Sequence, residues 1–499
     1  MFDFSVLFVN IRFSQRKNQK FCIFIDKSLH MSKKSRNFAN FFACTLMRTY
    51  EIIKNMRKIG FIVLLTAFAL STFAAPARGV RRPIMQAVHE VGRPNPIPRV
   101  VVILVSYSDL AIQSKNTAEA LDSLFNITGY AFNGATGSAR DYFIAQSDSA
   151  YQPIFDVFGP VTLSNNRAYY GAGNPDKRPG DMIKEACTLV DDQVNFADYD
   201  SDGDGKVDCV YVLYAGIGAN DVDGEADAIW PHQSTVYGLT LDGKQISTYA
   251  CSGEIDGYLK NRTCIGPICH EFGHAIGMPD YYSTGPSNAY IVCEWSAMDH
   301  GMYNNDANTP PNYSIFDKEY MGWTSVEELK ADSQATITLT TDYGDGYKMN
   351  AGGAMYYIEN RQKTGWDLGL PGSGMLVWQV KFNQSTWSSN HVNYTNTNPS
   401  YTVLSARYGP MTNGDQVWSS SDDPFPGTWN VTGWTAGEGL VLTDIAETNG
   451  QITFKLNGGK PTGLESQESR AESRKIMRDG QLIILRGGKA YNAQGMEIR

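Results

Sequence analysis

The stretch His270-Glu271-Phe272-Gly273-His274-Ala275-Ile276-Gly277-Met278-Pro279-Asp280 decides how the rest of this 499-residue sequence is interpreted. Residues four apart lie on one face of a helix, so the imidazoles of His270 and His274 can reach the same metal ion. Glu271 lies beside them, where a carboxylate can polarise a water molecule on the metal. This pattern predicts a zinc-binding helix over residues 262–277. A structural helix with two surface histidines is the less favoured alternative.

The residues after this helix indicate a third metal ligand. Gly277 can adopt the left-handed conformation that ends a helix and turns the chain back. Pro279 prevents the helix from continuing. Asp280 then lies where a third ligand is needed, so we predict a zinc site formed by Asp280 and the two histidines of the motif.

Residues 270–282, HEFGHAIGMPDYY, resemble the active-site segment of the immune inhibitor A family of secreted bacterial metallopeptidases, which is related to the metzincins. The resemblance covers about residues 98–457. Its further landmarks are residues 137–143, 158–161, 169–171, 229–232, 357–362 and 366–372. It implies a secreted zinc-dependent endopeptidase that hydrolyses peptide bonds in proteins through a zinc-activated water, with Glu271 as the general base.

The resemblance also implies a Met-turn, the methionine that lies beneath the zinc in metzincins. Met298 is the candidate, and an ordinary core methionine is the alternative. The sequence departs from the common metzincin pattern in two places, because the third ligand is Asp280 instead of histidine and His300 stands where tyrosine often follows the Met-turn. We expect His300 or Tyr303 to donate to the developing oxyanion, with a structural role as the alternative for each.

A second acidic motif, DSDGDGKVD, spans residues 200–208. Alternating carboxylates can converge on a hard cation, and Gly205 permits the sharp turn that this requires. Position 12 of an EF-hand would be Tyr211 instead of glutamate, so the complete helix–loop–helix motif is absent. We expect a calcium site here, with a solvated acidic turn as the alternative. The candidate ligands are Asp200, Asp202, Asp204 and Asp208.

The composition is that of a folded and acidic protein. Hydrophobic residues make up 42% of the chain and charged residues 19%, which excludes wholesale disorder. The first 75 residues contain 12 basic and 3 acidic side chains, whereas the remaining 424 contain 31 and 49. This acidic balance argues against nucleic acid as a partner. The GxSxG and GxxxxGK[ST] patterns are absent, so neither serine-nucleophile chemistry nor nucleotide hydrolysis is supported.

The N-terminal region indicates export. Residues 56–77 combine a basic start, an apolar run and small residues, as in a secretory signal peptide, and a signal anchor is the alternative. Translation would then begin at Met56, with residues 1–55 an over-long gene prediction, and the protein would be secreted or located at the cell surface. Residues 78–97 form a short leader in which His89 and Glu90 are candidate ligands that keep the zinc site latent; a simple linker with a solvated His89 is the favoured alternative.

Three folded regions are predicted after the leader. Residues 98–325 form an α+β, metzincin-like zinc peptidase domain. Residues 326–457 form a β-sandwich, because short strands alternate with Gly, Asn and Ser turns. A polar linker over residues 458–473 leads to a small β tail over residues 474–499. The tail resembles the sorting signals of type IX secretion cargo, which implies secretion machinery as a partner besides protein or peptide substrates; a simple terminal hairpin is the alternative.

Local patterns predict the elements around the motif. Apolar runs indicate buried strands at residues 99–105 and 207–215. Helical spacing of apolar residues predicts a helix over residues 181–195, and a Gly-Pro turn divides residues 153–163 into strands. The six cysteines that follow the signal peptide allow three disulfides or free buried thiols. They are Cys187, Cys209, Cys251, Cys264, Cys269 and Cys293.

One alternative function comes from another class of protein. According to this alternative, the chain is a non-catalytic secreted adhesin or binding protein whose zinc site is vestigial. The intact Glu271 favours the enzyme, because a binding module has no chemical need for a general base beside the metal ligands.

Overall fold

A mixed six-stranded sheet carries the candidate site. The computed structural model describes residues 97–172, 176–221, 226–287, 289–331, 333–407, 409–410, 419–437 and 439–458, and the backbone of four strands beyond them. The predicted signal peptide and leader, including His89 and Glu90, lie outside the described residues. Of the helices in these ranges, none has both the length and the apolar character that crossing a membrane requires.

The strand order of this sheet is β2-β1-β4-β8-β5, with β9 pairing to β8. A small neighbouring sheet has the order β3-β7-β6. The strands of the two sheets are, in chain order, β1 (Arg99–Ser106), β2 (Ile154–Thr162), β3 (Lys206–Val207), β4 (Val210–Ile217), β5 (His232–Thr235), β6 (Thr240–Leu241), β7 (Lys244–Ile246), β8 (Thr248–Asp256) and β9 (Asn261–Arg262). Strands β2, β1, β4 and β8 are parallel, whereas β5 runs antiparallel at the edge.

Strand β1 is buried on both faces, which explains its continuous apolar sequence. Val100, Val102 and Leu104 face one hydrophobic cluster, which also contains side chains of the histidine-bearing helix. The intervening Val101 and Ile103 face a second cluster on the opposite side of the sheet. The sheet therefore forms the middle layer between two cores, and the buried strand expected here is confirmed.

Eight α-helices are present in the described ranges, besides short 3-10 turns. They are α1 (Ala118–Asn126), α2 (Ala139–Gln146), α3 (Arg167–Tyr170), α4 (Pro179–Leu189), α5 (Ile265–Ala275), α6 (Asn304–Ala307), α7 (Ile315–Tyr320) and α8 (Gln384–Ser388). Helix α2 begins with a capping box, in which Ser138 and Asp141 each bond to the backbone N–H of the other.

Two local expectations were wrong. Helix α4 ends at Leu189 instead of continuing to residue 195; Asp191 and Asp192 follow, and negative charge is unfavourable at the C-terminal end of a helix dipole. Strand β2 is continuous through the Gly-Pro pair. A shift in its pairing register with β1, between Ile103 and Val105, accommodates one extra residue in β2.

The region after residue 325 contains two sheets. One has the order β10-β12-β13-β14-β15-β16, and the other has the order β11-β19-β18-β17. The strands are β10 (Glu327–Glu328), β11 (Ala335–Leu339), β12 (Gly346–Ala351), β13 (Ala354–Arg361), β14 (Gly374–Val380), β15 (Tyr401–Ser405), β16 (Gly409–Pro410), β17 (Trp434–Gly437), β18 (Leu440–Thr448) and β19 (Gln451–Leu456). Side chains of both sheets form one hydrophobic cluster.

Strand β14 contributes to two cores at once. Its residues Met375 and Val377 join the cluster between the two later sheets, whereas Leu376 and Trp378 join the cluster around the histidine-bearing helix. The first and second regions therefore share a continuous hydrophobic core. Beyond residue 458, strands β20 (Arg474–Arg478), β21 (Gln481–Arg486), β22 (Lys489–Asn492) and β23 (Glu497–Ile498) form an antiparallel sheet in sequence order.

The cysteines after the predicted signal peptide are free and buried. The structure therefore favours buried thiols over the three disulfides that the even number allowed. Burial raises the pKa of Cys187, Cys209 and Cys251 above the usual value for a thiol, which keeps these groups protonated.

A buried ion cluster fastens the second region to the first. The Arg361 guanidinium donates to Asp367 at 2.7 and 2.6 Å and to Glu359 at 3.2 Å. It also donates to the backbone carbonyl of Asn312, in the segment before α7, at 3.0 Å. The side chains of Arg361 and Asp367 are only 3% and 7% exposed. Each charge is thus buried and paired.

Replacing Asp367 with alanine should lower the free energy of unfolding by about 3–5 kcal/mol, because it leaves the buried Arg361 without its nearest carboxylate. Denaturant unfolding followed by tryptophan fluorescence measures the change. Glu328→Ala is the control; it breaks the pair with Lys330, whose side chain is 61% exposed. There the loss should stay below about 1 kcal/mol. Equal losses would show that the buried cluster contributes no more than a surface pair.

Candidate active site

Helix α5 places the predicted metal ligands in the interior. His270 and Glu271 are fully buried and His274 is 2% exposed. Gly273, between the histidines, allows the Met298 side chain to approach the helix; a Cβ at this glycine would lie 2.9 Å from the Met298 sulfur. The helix therefore packs closely against the segment that the sequence identified as a Met-turn.

The end of α5 brings Asp280 back towards the histidines. Gly277 has a φ of +109°, the left-handed region that glycine favours, as the sequence predicted. The N–H of Met278 donates to the carbonyl of Gly273 at 2.9 Å, and the N–H of Tyr281 donates to the carbonyl of Met298 at 2.8 Å. These bonds close the turn and fix the backbone on both sides of Asp280.

Three potential ligand atoms converge in this turn. The Oδ1 atom of Asp280 lies 3.3 Å from His270 Nε2 and 3.2 Å from His274 Nε2. The two Nε2 atoms are 3.1 Å apart. Among the described residues, Asp280 Oδ1 has no hydrogen-bond donor. Sequence reasoning chose these three residues, and the structure brings them together.

The other ring nitrogens determine the protonation of this cluster. His270 Nδ1 donates to the carbonyl of Ala297 at 2.8 Å, and His274 Nδ1 donates to the carbonyl of Met278 at 2.7 Å. Because a carbonyl only accepts, each neutral ring carries its proton on Nδ1 and presents an Nε2 lone pair to the cluster.

The cluster therefore suits a metal cation. Burial raises the pKa of Asp280, but a positive charge on His274 and His270 outweighs burial and holds that pKa well below its usual range, so the carboxyl is ionised when a cation shares the cluster. Two imidazole lone pairs and one carboxylate oxygen repel one another without a shared cation. Zinc takes such nitrogen and oxygen ligands, with the outer ring nitrogens held by backbone carbonyls.

Glu271 lies beside the cluster without belonging to it. Neither of its oxygens has a hydrogen-bond partner of good geometry in the part of the chain that the structure describes. Burial raises the pKa of Glu271 to about 8. A buried carboxyl with both oxygens available is suited to exchange a proton with a bound water molecule.

The segment around Met298 contacts both His270 and the turn that carries Asp280. Its carbonyls at Ala297 and Met298 hold His270 and the turn that carries Asp280, as described above. Asp299 then anchors the segment, because one of its oxygens accepts from three successive backbone N–H groups, at residues 291–293, over 2.9–3.1 Å. Burial raises the pKa of Asp299 to about 7. Asp299 lies next to Met298 in the sequence, but the sequence analysis assigned it no role.

Comparison with known proteins identifies a family that is similar to the part of the chain that carries this cluster. Residues 98–325 match the family described as immune inhibitor A peptidase M6, catalytic domain. We refer to this matched region as the M6 domain.

Two characterised relatives match parts of the chain. The "Pre-pro-metalloprotease PrtV" of Vibrio cholerae serotype O1 is 27% identical over 267 residues, which cover 44% of this chain and 29% of the relative. "Immune inhibitor A" of Bacillus thuringiensis subsp. alesti is 26% identical over 228 residues, which cover 38% of this chain and 33% of the relative. The chain thus matches about a third or less of the length of these relatives.

Within the M6 domain, His300 and Tyr303 lie next to each other, with ring centroids 5.3 Å apart. His300 Nδ1 is 3.8 Å from the Glu294 carboxylate, and its ring contacts Tyr290. The Tyr303 hydroxyl accepts a hydrogen bond from Asn220 at 2.9 Å. The expected role of these two residues as oxyanion donors stays a prediction.

The acidic loop of the M6 domain brings together three of its four candidate ligands. Carboxylate oxygens of Asp200, Asp202 and Asp208 lie within 4.8 Å of one another. Asp204 instead bonds to the Lys206 ammonium at 2.8 Å. In the described ranges Asp200 Oδ1 is buried without a hydrogen-bond partner. The loop therefore has a partial cluster of hard ligands.

One contact to the cluster comes from outside the M6 domain. The side-chain amide of Asn390 bonds twice to Asp280, accepting from its backbone N–H and donating to its carboxylate, both at 2.7 Å. Nothing in the sequence indicated Asn390, which is 110 residues away and belongs to no motif.

Replacing Asp280 with alanine should weaken zinc binding by more than about 100-fold. Loss of a residue that only orients a ligand typically weakens metal binding by about 10–100-fold, and loss of a ligand should cost more. Asp280→His should retain part of the affinity, because imidazole also binds zinc. Competition with a chromogenic chelator measures the affinity. Glu447→Ala, at an exposed carboxylate on β18, is the control. Wild-type affinity in Asp280→Ala would move the third ligand elsewhere.

Proposed function

We propose that this protein is a secreted zinc-dependent endopeptidase that hydrolyses peptide bonds in proteins. The observation that carries the proposal is the convergence of His270, His274 and Asp280, beside an unpartnered Glu271, within an M6 domain. The relative from Vibrio cholerae, which bears the name metalloprotease, supports the same class of reaction.

His270, His274 and Asp280 would hold the metal, with their orientation fixed by the carbonyls and the turn described above. When bound, zinc polarises the scissile carbonyl and lowers the pKa of water. Glu271 takes the proton from the attacking water and passes it to the leaving amine. Its two oxygens are available for both transfers because neither has a hydrogen-bond partner of good geometry among the described residues.

Further structural features support the finer parts of the proposal. The mixed sheet, helix α5 and the contact between Met298 and Gly273 favour a metzincin-like domain whose Met-turn is Met298. The two later sheets with a common cluster favour a β-sandwich over residues 326–457. Export would depend on the signal peptide at residues 56–77, and the tail would engage secretion machinery.

Glu271→Ala should reduce casein hydrolysis by at least about 100-fold, because general acid–base groups typically contribute 10²–10⁴-fold. Its zinc content, measured by metal analysis, should match that of wild type, because the ligands are untouched. Glu119→Gln, at an exposed position on α1, is the matched control and should retain activity.

The same assay separates the enzyme from the adhesin. A zinc chelator should abolish casein hydrolysis by the wild-type protein, and added zinc should restore it. A wild-type protein that contains zinc but hydrolyses neither casein nor a peptide library would instead favour the non-catalytic binding protein.

We further propose that the acidic loop binds calcium. Asp200, Asp202 and Asp208 supply hard oxygen ligands, and the buried Oδ1 of Asp200 lacks a partner among the described residues. Gly205 has a φ of +87° and donates its N–H to Asp200 at 3.1 Å, which folds the loop around the cluster. The Lys244 ammonium, 2.6 Å from Asp200 Oδ2, would compete with the ion or shift away from it.

Calcium should raise the melting temperature of the wild-type protein, because a ligand that binds only the folded state stabilises it. Asp202→Ala should remove most of this shift. Asp204→Ala, whose carboxylate is engaged by Lys206, should retain more of it. Differential scanning fluorimetry with and without calcium measures both. An undiminished shift in Asp202→Ala would contradict a calcium site in this loop.

A further inference from the structure

We infer that Asn390, which lies outside the M6 domain, is a positioning residue that completes the metal site by fixing the carboxylate of Asp280. The inference rests on the proposed function, because it concerns the same zinc ligands. It assigns part of the metal affinity to a residue of the second region.

The geometry of the contact determines how the Asn390 amide is oriented. Its Oδ1 accepts from the backbone N–H of Asp280 at 2.7 Å, and its Nδ2 donates to Asp280 Oδ2 at 2.7 Å. A backbone N–H can only donate, so the amide oxygen must face it and the NH₂ group must face the carboxylate. Both side chains are buried, with Asn390 3% exposed and Asp280 fully enclosed.

The hydrogen bond from Asn390 gives the two oxygens of the Asp280 carboxylate different partners. The Oδ2 atom is engaged by Asn390, so Oδ1 is the oxygen that faces His270 and His274, at 3.3 and 3.2 Å. Without the amide, the carboxylate can rotate about its Cβ–Cγ bond. Hydrogen bonding to the outer oxygen of a ligating carboxylate is known to orient such ligands and to raise metal affinity.

The position of Asn390 is itself well determined. It follows α8 with a φ of +57°, a conformation that asparagine tolerates better than most residues, and its N–H donates to the carbonyl of Trp387 at 3.2 Å. Its own carbonyl accepts from the hydroxyl of Thr284 at 2.9 Å. Asn393 on the same loop donates to the carbonyl of Tyr281 at 2.7 Å. The loop is therefore fastened to the residues that follow Asp280.

Two variants of the full chain test the inference. Asn390→Gly removes the amide while a positive φ remains favourable, so the backbone contacts to Trp387 and Thr284 can persist. Asn390→Asp keeps an acceptor for the backbone N–H but sets a carboxylate oxygen against Asp280 Oδ2. Asn449→Gly, at an exposed turn residue with a φ of +53°, is the matched control for the same exchange.

The measurements are the zinc dissociation constant, by chelator competition, and the visible spectrum of the cobalt-substituted protein, which reports ligand geometry. We expect the zinc dissociation constant to be about 10–100-fold larger, and the cobalt spectrum to be altered, in both Asn390 variants. Asn449→Gly should have wild-type values. Melting temperatures of the metal-free proteins show which variants are folded.

Wild-type zinc affinity and an unchanged cobalt spectrum in either folded Asn390 variant would overturn the inference while leaving the proposed function intact. Failure of the proposed function has a different signature, since the wild-type protein itself would then bind no zinc or would bind it without hydrolysing casein. If Asn390→Gly does not fold, Asn390→Asp decides the question alone, because aspartate also tolerates a positive φ.

Discussion

Two imidazole nitrogens and one carboxylate oxygen lie within about 3.3 Å of one another in the buried interior, and much of the surrounding structure serves to hold them there. Such an arrangement of acceptors is unfavourable by itself. It persists because backbone carbonyls fix both rings, a glycine turns the chain back, and Asn390 engages the outer oxygen of Asp280. Each of these constraints acts on orientation, which is what a metal ion requires of its ligands.

The boundary between the M6 domain and the region that follows is a feature of the sequence more than of the packing. Strand β14 directs alternate side chains into the M6 core and into the later sheets. Trp295, three residues before Met298, donates its indole N–H to Asp423 at 2.9 Å, so the segment around Met298 also contacts the second region. Support for the site therefore comes from both sides of residue 325.

The sequence was sufficient for features that depend on local chemistry. Helical spacing placed His270 and His274 together, and Gly277 with Pro279 indicated the turn that returns Asp280. Other features depend on contacts between distant segments, which no local pattern records. Asn390 is an ordinary asparagine after a short helix, and Asp299 acquires its role only because residues 291–293 present three N–H groups to it. Helix α4 was predicted too long because apolar spacing continues past the aspartates at which the helix ends.

The separation of 110 residues between Asp280 and Asn390 also determines the order in which the two residues emerge when the chain is exported. If the protein is exported from its N-terminus, as proposed, the histidine motif would emerge well before the loop that contacts it. If Asn390 positions Asp280 as inferred, the early part of the chain emerges with an incomplete set of orienting contacts and a weaker hold on zinc. Full metal loading would then follow arrival of the second region, which would delay peptide-bond hydrolysis until most of the molecule has left the compartment where it was made.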